Sequence, residues 1–132
     1  MGFFDMFRSK EHRVKLSNLK SMIMLALADG RLDEAESRVI AAVCGRDNIS
    51  MEELNRCLKE PDSVEFIAPA DPEAQIKHLR DLVCLMICDG NIDENEMKVC
   101  RVVAHMLGFR PEVIDALLEM TIKDIQEGLD MK

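Results

Sequence analysis

Apolar residues recur along this chain at the three- and four-residue spacing of amphipathic helices, and no segment alternates convincingly between apolar and polar residues over the length of a strand. Residues 14–30 and 71–90 become apolar on nearly all sides toward their ends, which is typical of helices that are buried on most sides. Residues 33–45 and 93–108 are amphipathic. The pattern predicts an all-α fold of six to seven helices without a sheet.

Residues that cap or stop helices divide this pattern into separate elements. Ser50 and Glu53 have the spacing of a capping box, in which each side chain bonds the backbone of the other residue. The last predicted helix begins near Pro111 and has apolar residues at 114, 117, 118, 122 and 125. Four glycines are predicted to end helices: Gly30 and Gly90 in the left-handed conformation, and Gly45 and Gly108 at the ends of the two amphipathic helices.

The chain contains an internal duplication with an offset of sixty residues. The residues that recur unchanged at this offset include Leu19, Leu25, Asp29, Gly30, Asp33, Glu34, Glu36, Val39 and Val43, which recur as Leu79, Leu85, Asp89, Gly90, Asp93, Glu94, Glu96, Val99 and Val103. Each half alone is too small for a stable core. The duplication therefore predicts one compact domain over residues 12–132, whose halves (about 12–60 and 72–128) surround two buried central helices.

Composition and charge restrict the class of partner. The chain has 132 residues, a net charge of −8 and no Trp or Tyr. Nucleic acids and anionic membranes are bound through basic surfaces, so we exclude them as main partners and expect cations or basic proteins instead. The five cysteines form no CxxC pair and lie mostly in apolar runs, which indicates buried thiols in a reducing cytoplasm. The apolar runs are too short for a transmembrane segment.

Two smaller features have alternative interpretations. The N-terminal arm, residues 1–11, joins the apolar segment MGFFDMF to basic residues, and we expect it to pack on the domain, with contact to a membrane surface or a partner groove as the alternative. Five methionines fall on apolar helix faces and are predicted to fill the core, although methionine also suits adaptable partner surfaces: Met22, Met24, Met86, Met97 and Met106.

The duplication includes two acidic turns, ADGRLDEAE at 28–36 and CDGNIDENE at 88–96. Helix capping explains part of each turn. Asp33 and Asp93 stand at N-cap positions, and Glu36 and Glu96 are the reciprocal capping-box residues, each cap contributing about 1 kcal/mol. Capping leaves Asp29 and Asp89 unexplained, because they follow the negative end of a helix dipole.

The alternative interpretation is a cation loop. The pattern D-G-x-[L/I]-D-x-x-E matches the second half of an EF-hand loop, whereas the earlier ligand positions are occupied by leucine and isoleucine, which do not bind calcium. Such a site would be weak and hydrated, Ca²⁺ would be its preferred divalent cation, and the two turns would cooperate only if they lie at the same end of the fold. The candidate metal ligands are Asp29, Asp33, Glu36, Asp89, Asp93 and Glu96.

These two turns, together with the long apolar helices that precede them, resemble the TerB family over roughly residues 12–128. This is the tellurite-resistance-associated helical domain related to the N-terminal domain of DjlA-type co-chaperones. The resemblance implies a bacterial, cytoplasmic, internally duplicated helical domain associated with stress response or with assemblies near the inner membrane. It also implies metal binding by the acidic turns and no enzymatic activity.

Three functional hypotheses follow from the sequence. The first is a non-enzymatic module that binds a divalent cation weakly and acts through protein partners. The second is a protein-interaction or scaffold domain whose acidic turns only cap helices. The third is a metal-dependent hydrolase that uses the acidic turns, because no Ser-His-Asp or Cys-His arrangement can be argued from the spacing. We disfavour it, since neither turn supplies a shared His, Lys or Arg for the charge that develops in such a reaction, and we predict no catalytic residue.

Overall fold

The described residues form six α-helices and contain no strand, which confirms the predicted all-α class. The computed structural model describes residues 9–30 and 32–130, with residues 29, 129 and 130 described by their backbone alone. The prediction made for the MGFFDMF segment therefore lies outside the described residues. The helices are α1 (Lys10–Ala26), α2 (Glu34–Arg46), α3 (Met51–Lys59), α4 (Pro72–Ile87), α5 (Glu94–Met106) and α6 (Val113–Asp130).

Helix α3 begins at the predicted capping box. The hydroxyl of Ser50 accepts from the backbone N–H of Glu53 at 3.1 Å, and the Glu53 carboxylate accepts from the backbone N–H of Ser50 at 3.0 Å. Helix α4 begins with Asp71 as its N-cap and Pro72 in its first turn, where the missing N–H of proline costs no helical hydrogen bond.

Three of the four predicted helix-ending glycines are confirmed. Gly30, Gly90 and Gly108 have φ values of 104°, 83° and 92°, a region in which residues with a Cβ are strained. The prediction for Gly45 is wrong, because α2 continues through it to Arg46 and Asn48 takes the left-handed conformation instead, at φ 57°. Asparagine tolerates this conformation better than most residues do.

The core lies mainly between α1 and α4. Helix α1 packs against α2, α3, α4 and α5, and helix α4 also packs against α2, α5 and α6. Nine of the twelve largest fully buried side chains come from these two helices: Leu19, Met22, Ile23, Leu25, Leu79, Leu82, Val83, Leu85 and Met86. Full burial of each such side chain stabilises the fold by about 1.5–3 kcal/mol.

The methionine prediction is only partly right. Met22, Met86 and Met97 are buried in the core, as expected. Met24 and Met106, however, are 51% and 49% exposed. They lie on the outward faces of α1 and α5, where they line a surface groove between these helices.

A polar cluster joins the C-terminal end of α2 to α1 and α4. The guanidinium of Arg46 donates to Asp81 on α4 at 2.8 Å and to the neighbouring Asp47 at 3.0 Å. Asn18 on α1 donates to the same Asp81 carboxylate at 2.9 Å. These charge-assisted bonds fix the end of α2 opposite the first acidic turn, so they help to position the turn itself.

The segment that connects α3 to α4 is hydrogen-bonded to α1. The backbone N–H of Ile67 donates to the Ser17 hydroxyl at 2.8 Å, and Lys20 Nζ donates to the Val64 carbonyl at 2.7 Å. Phe66 packs partly buried against the core. None of the helices in the described ranges is both long and apolar enough to cross a membrane.

Candidate cation site at the two acidic turns

The first acidic turn is closed by reciprocal hydrogen bonds. After α1, a single 3₁₀ turn over Leu27–Asp29 leads into Gly30, whose N–H donates to the Leu27 carbonyl at 3.0 Å. Asp33 Oδ1 then accepts from the N–H of Glu36 at 2.7 Å, while Glu36 Oε1 accepts from the N–H of Asp33 at 3.2 Å. The predicted capping box is therefore confirmed here, and the Glu36 side chain is buried in forming it.

The second acidic turn has the same glycine but different side-chain bonds. Asp89 Oδ1 accepts from the N–H of Asn91 at 3.0 Å, the local Asx turn that compensates a carboxylate at the end of a helix. Asp93 Oδ1 accepts from the N–H of Asn95 at 2.6 Å. The predicted capping box had the N–H of Glu96, one residue later, as this donor. The Asp93 backbone, with ψ 136° against 175° at Asp33, presents this carboxylate differently to the helix start.

The apolar residue of each turn also differs in burial. Leu32 is half-buried and packs against the core, whereas Ile92 is 50% exposed. The duplicated sequence therefore does not give a duplicated environment. The second turn is the more open of the two.

The two turns lie together at one end of the fold, an arrangement that the sequence left open. The 3₁₀ turn of the first repeat packs against α5, the helix that follows the second turn. Cys88, which ends α4, is half-buried beside both turns. Burial first, and then the nearby carboxylates of Asp33, Asp89, Glu36 and Glu96, together raise the pKa of its thiol from 9.0 to about 11.

The six predicted ligands are thus placed unequally. Four of them lie near enough to Cys88 to raise the pKa of its thiol, and Asp93 caps α5, whereas the side chain of Asp29 lies outside the described residues. Among the side chains that the structure describes, no group of three or more His, Cys, Asp or Glu is arranged to hold a metal ion. Asp33, Asp89 and Asp93 each use Oδ1 for a backbone bond. A carboxylate has a second oxygen that can bind a cation or an ordered water.

Three cysteines in the second half of the chain have raised thiol pKa values. Burial raises the thiol pKa of Cys84, Cys88 and Cys100, so these thiols are protonated at neutral pH. Cys100 reaches about 12. This agrees with the expectation that the cysteines act as small hydrophobes, although Cys84 is exposed.

The sequence analysis missed Cys88 as the residue between the turns. Its equivalent in the first repeat is Ala28, so the only signal was a mismatch within an otherwise similar turn. A mismatch does not reveal proximity, which depends on how α1 and α4 pack.

Comparison of the chain with models of known protein families finds no match, and comparison with curated proteins and with solved structures finds none either. The resemblance to the TerB family therefore stays a prediction from the two acidic turns.

Proposed function

We propose that this protein is a non-enzymatic helical module of the TerB type, which binds a divalent cation weakly through one joint site at its two acidic turns and acts through protein partners. The observation that carries the proposal is the position of both turns beside Cys88. Carboxylates from the two repeats act there on the same thiol, so they also act on any cation that approaches this end of the fold.

The positions of the helices support a duplication behind this joint site. Helix α2 spans Glu34–Arg46 and helix α5 spans Glu94–Met106, so both have 13 residues and begin sixty residues apart. Each follows a long apolar helix and a left-handed glycine. We infer two related halves built around α1 and α4, in which each half contributes one acidic turn to the same end.

The chemistry of the turns favours a hard cation that keeps much of its water. The candidate ligands are carboxylates, and Ca²⁺ accepts six to eight oxygen ligands with flexible geometry. Several carboxylates already hold backbone N–H groups, so direct coordination would use their second oxygens, with water completing the shell. We therefore propose Ca²⁺ ahead of Mg²⁺, which requires stricter octahedral geometry.

Asparagine substitutions separate cation binding from helix capping. Asparagine caps a helix and forms an Asx turn about as well as aspartate does, but it has no charge. Asp33→Asn and Asp89→Asn should therefore preserve the metal-free fold and remove stabilisation by Ca²⁺. In the wild type, Ca²⁺ at ten times its dissociation constant should raise the free energy of unfolding by about 1.4 kcal/mol.

Asp71→Asn is the matched control for these variants. Asp71 caps the other end of α4, about 24 Å away along a 16-residue helix, so its charge is too far to affect the site. This variant should keep the full Ca²⁺ effect in urea unfolding, and Mg²⁺, Mn²⁺ and Zn²⁺ should each stabilise less than Ca²⁺. Wild-type protein that Ca²⁺ does not stabilise at millimolar concentrations would contradict the proposal.

A second candidate function is a scaffold domain whose acidic turns serve only as caps and whose acidic surface binds a basic partner. The capping bonds of Asp33, Glu36 and Asp93 favour it, because they give these residues a role without any ion. Under this alternative Asp89→Asn leaves both stability and cation response unchanged. The calcium measurement above therefore decides between the two functions.

A further inference from the structure

A groove of about 400 Å³ lies between α1 and α5. Its walls are mainly apolar. Met24, Val102 and Met106 line it and are each about half exposed, at 51%, 58% and 49%. A contiguous exposed apolar surface of this kind is typical of a site for another polypeptide, and methionine adapts to the shape of a bound helix.

Helix α6 presents an apolar stripe that the described residues of the chain leave exposed. Ile114 and Leu117, in its first half, are buried against the body. From Ile122 to Gly128 every side chain is exposed, and Ile122 and Ile125 continue the same stripe at 37% and 50% exposure. A helical segment with so few tertiary contacts is marginal in water, since most helical stability comes from packing of the apolar face. The stripe therefore indicates a surface that packs against another molecule.

The charges around the groove and around the α6 stripe are complementary. The groove includes Lys20, Lys98 and Asp62, a net charge of +1 in a chain whose total is −8. The exposed segment 122–128 of α6 has two acidic side chains and one basic side chain, a net charge of −1: Asp124, Glu127 and Lys123. An acidic-flanked apolar helix is thus the occupant that this groove favours.

We propose that two copies of this chain associate through these surfaces, with the exposed half of α6 from each copy lying in the α1–α5 groove of the other. Among the described side chains of α6, none lines the groove of its own chain, so this part of the helix is available to enter a second molecule. Because each copy gives its helix to the other and receives one in return, the assembly is complete at two copies. Such a dimer has twofold symmetry, the commonest symmetry of homo-oligomers.

Analytical ultracentrifugation over a concentration series tests this association. The wild type should approach twice 15.0 kDa as concentration rises. Ile125→Glu on the helix and Val102→Glu in the groove each place a carboxylate in an apolar contact, and each should raise the dissociation constant by about 30-fold or more. Both residues are exposed in the single chain, so the melting temperatures should stay near that of the wild type. Met51→Glu is the matched control: Met51 is 69% exposed on α3, outside both surfaces, and its replacement should not change the dissociation constant.

Mixing the two variants identifies which surfaces meet. An Ile125→Glu copy keeps its groove and a Val102→Glu copy keeps its helix, so one of the two contacts can form between them. The mixture should therefore pair more tightly than either variant alone. A wild type that stays at 15.0 kDa up to millimolar concentration overturns the proposal. So does a dimer that only one of the two substitutions weakens, because helix would then meet helix or groove would meet groove.

Discussion

The first acidic turn is closed and the second is open, although the two share the pattern D-G-x-[L/I]-D-x-x-E. In the first, Asp33 and Glu36 bond each other's backbone, and Leu32 packs against the core. In the second, Asp89 forms an Asx turn, Asp93 caps one residue earlier, and Ile92 is exposed.

This difference teaches that a repeated sequence does not guarantee a repeated structure. The two turns share the left-handed conformation of their glycines. Side-chain bonding depends on the backbone of the N-cap residue and on the neighbours that each turn meets. If a cation binds, we infer that the second turn adapts to it more readily, because fewer of its groups are fixed by packing.

The largest expected difference between the two turns is in the stability that is lost when the N-cap side chain of each is removed. Asp33→Ala removes a reciprocal box and should lower the free energy of unfolding by about 1.5–2 kcal/mol, whereas Asp93→Ala removes one bond and should cost about 0.5–1 kcal/mol. Urea unfolding of the metal-free proteins measures both. The asparagine variants at the same positions, which keep the cap, should change stability by less than about 0.5 kcal/mol. Equal costs at the two positions would remove the distinction between a closed and an open turn.

The apolar positions should show a smaller difference of the same sign. Leu32→Ala removes a half-buried side chain from the core surface and should cost about 1 kcal/mol. Ile92→Ala should change stability by less than about 0.5 kcal/mol, because the side chain is half exposed already. Thermal unfolding of this matched pair provides the measurement. A larger loss at Ile92 than at Leu32 would show that the second turn is the better packed one.

The smallest expected effect is a shift in the pKa of the Cys88 thiol when a carboxylate of either turn is neutralised. Its pKa is raised from 9.0 to about 11, first by burial and then by carboxylates of both turns. The folded state binds this proton more tightly than the unfolded state does. The resulting stability is therefore fully present below pH 9 and is lost as pH rises through about 11.

Alkylation of Cys88 against pH measures this titration in a Cys84→Ala background, which removes the exposed thiol. Asp33→Asn and Asp89→Asn should each lower the midpoint, because each removes a negative charge near the thiol. A midpoint that responds only to Asp89→Asn would mean that the first turn does not contribute to the field at Cys88.

Sequence reasoning predicted the elements well because helix signals are local. The start of α2, the start of α5 and the left-handed Gly30 and Gly90 all follow from a few adjacent residues. The errors occurred where distant packing decides. Nothing near Gly45 in the sequence indicates that α2 continues past it, where Arg46 bonds Asp81 on α4.

Packing between distant segments also limited what the sequence could predict about the candidate cation site and the α1–α5 groove. Met24 and Met106 have the spacing of core residues, but the packing of α1 and α5 leaves them on a groove. The common position of the two turns depends on the relative direction of α1 and α4, which no local signal contains. The residues of the candidate site were therefore predictable, but their proximity was not.

The measurement that tests the joint site most directly is a Ca²⁺ titration followed by the amide NMR signals of Gly30 and Gly90, in the wild type and in Asp89→Asn. Gly30 belongs to the first turn and Asp89 to the second. A joint site predicts that both glycine signals shift with a single midpoint in the wild type. It also predicts that Asp89→Asn abolishes the shift at Gly30, in the other turn. Shifts that are absent at millimolar Ca²⁺, or a Gly30 shift that survives Asp89→Asn unchanged, would contradict the joint site.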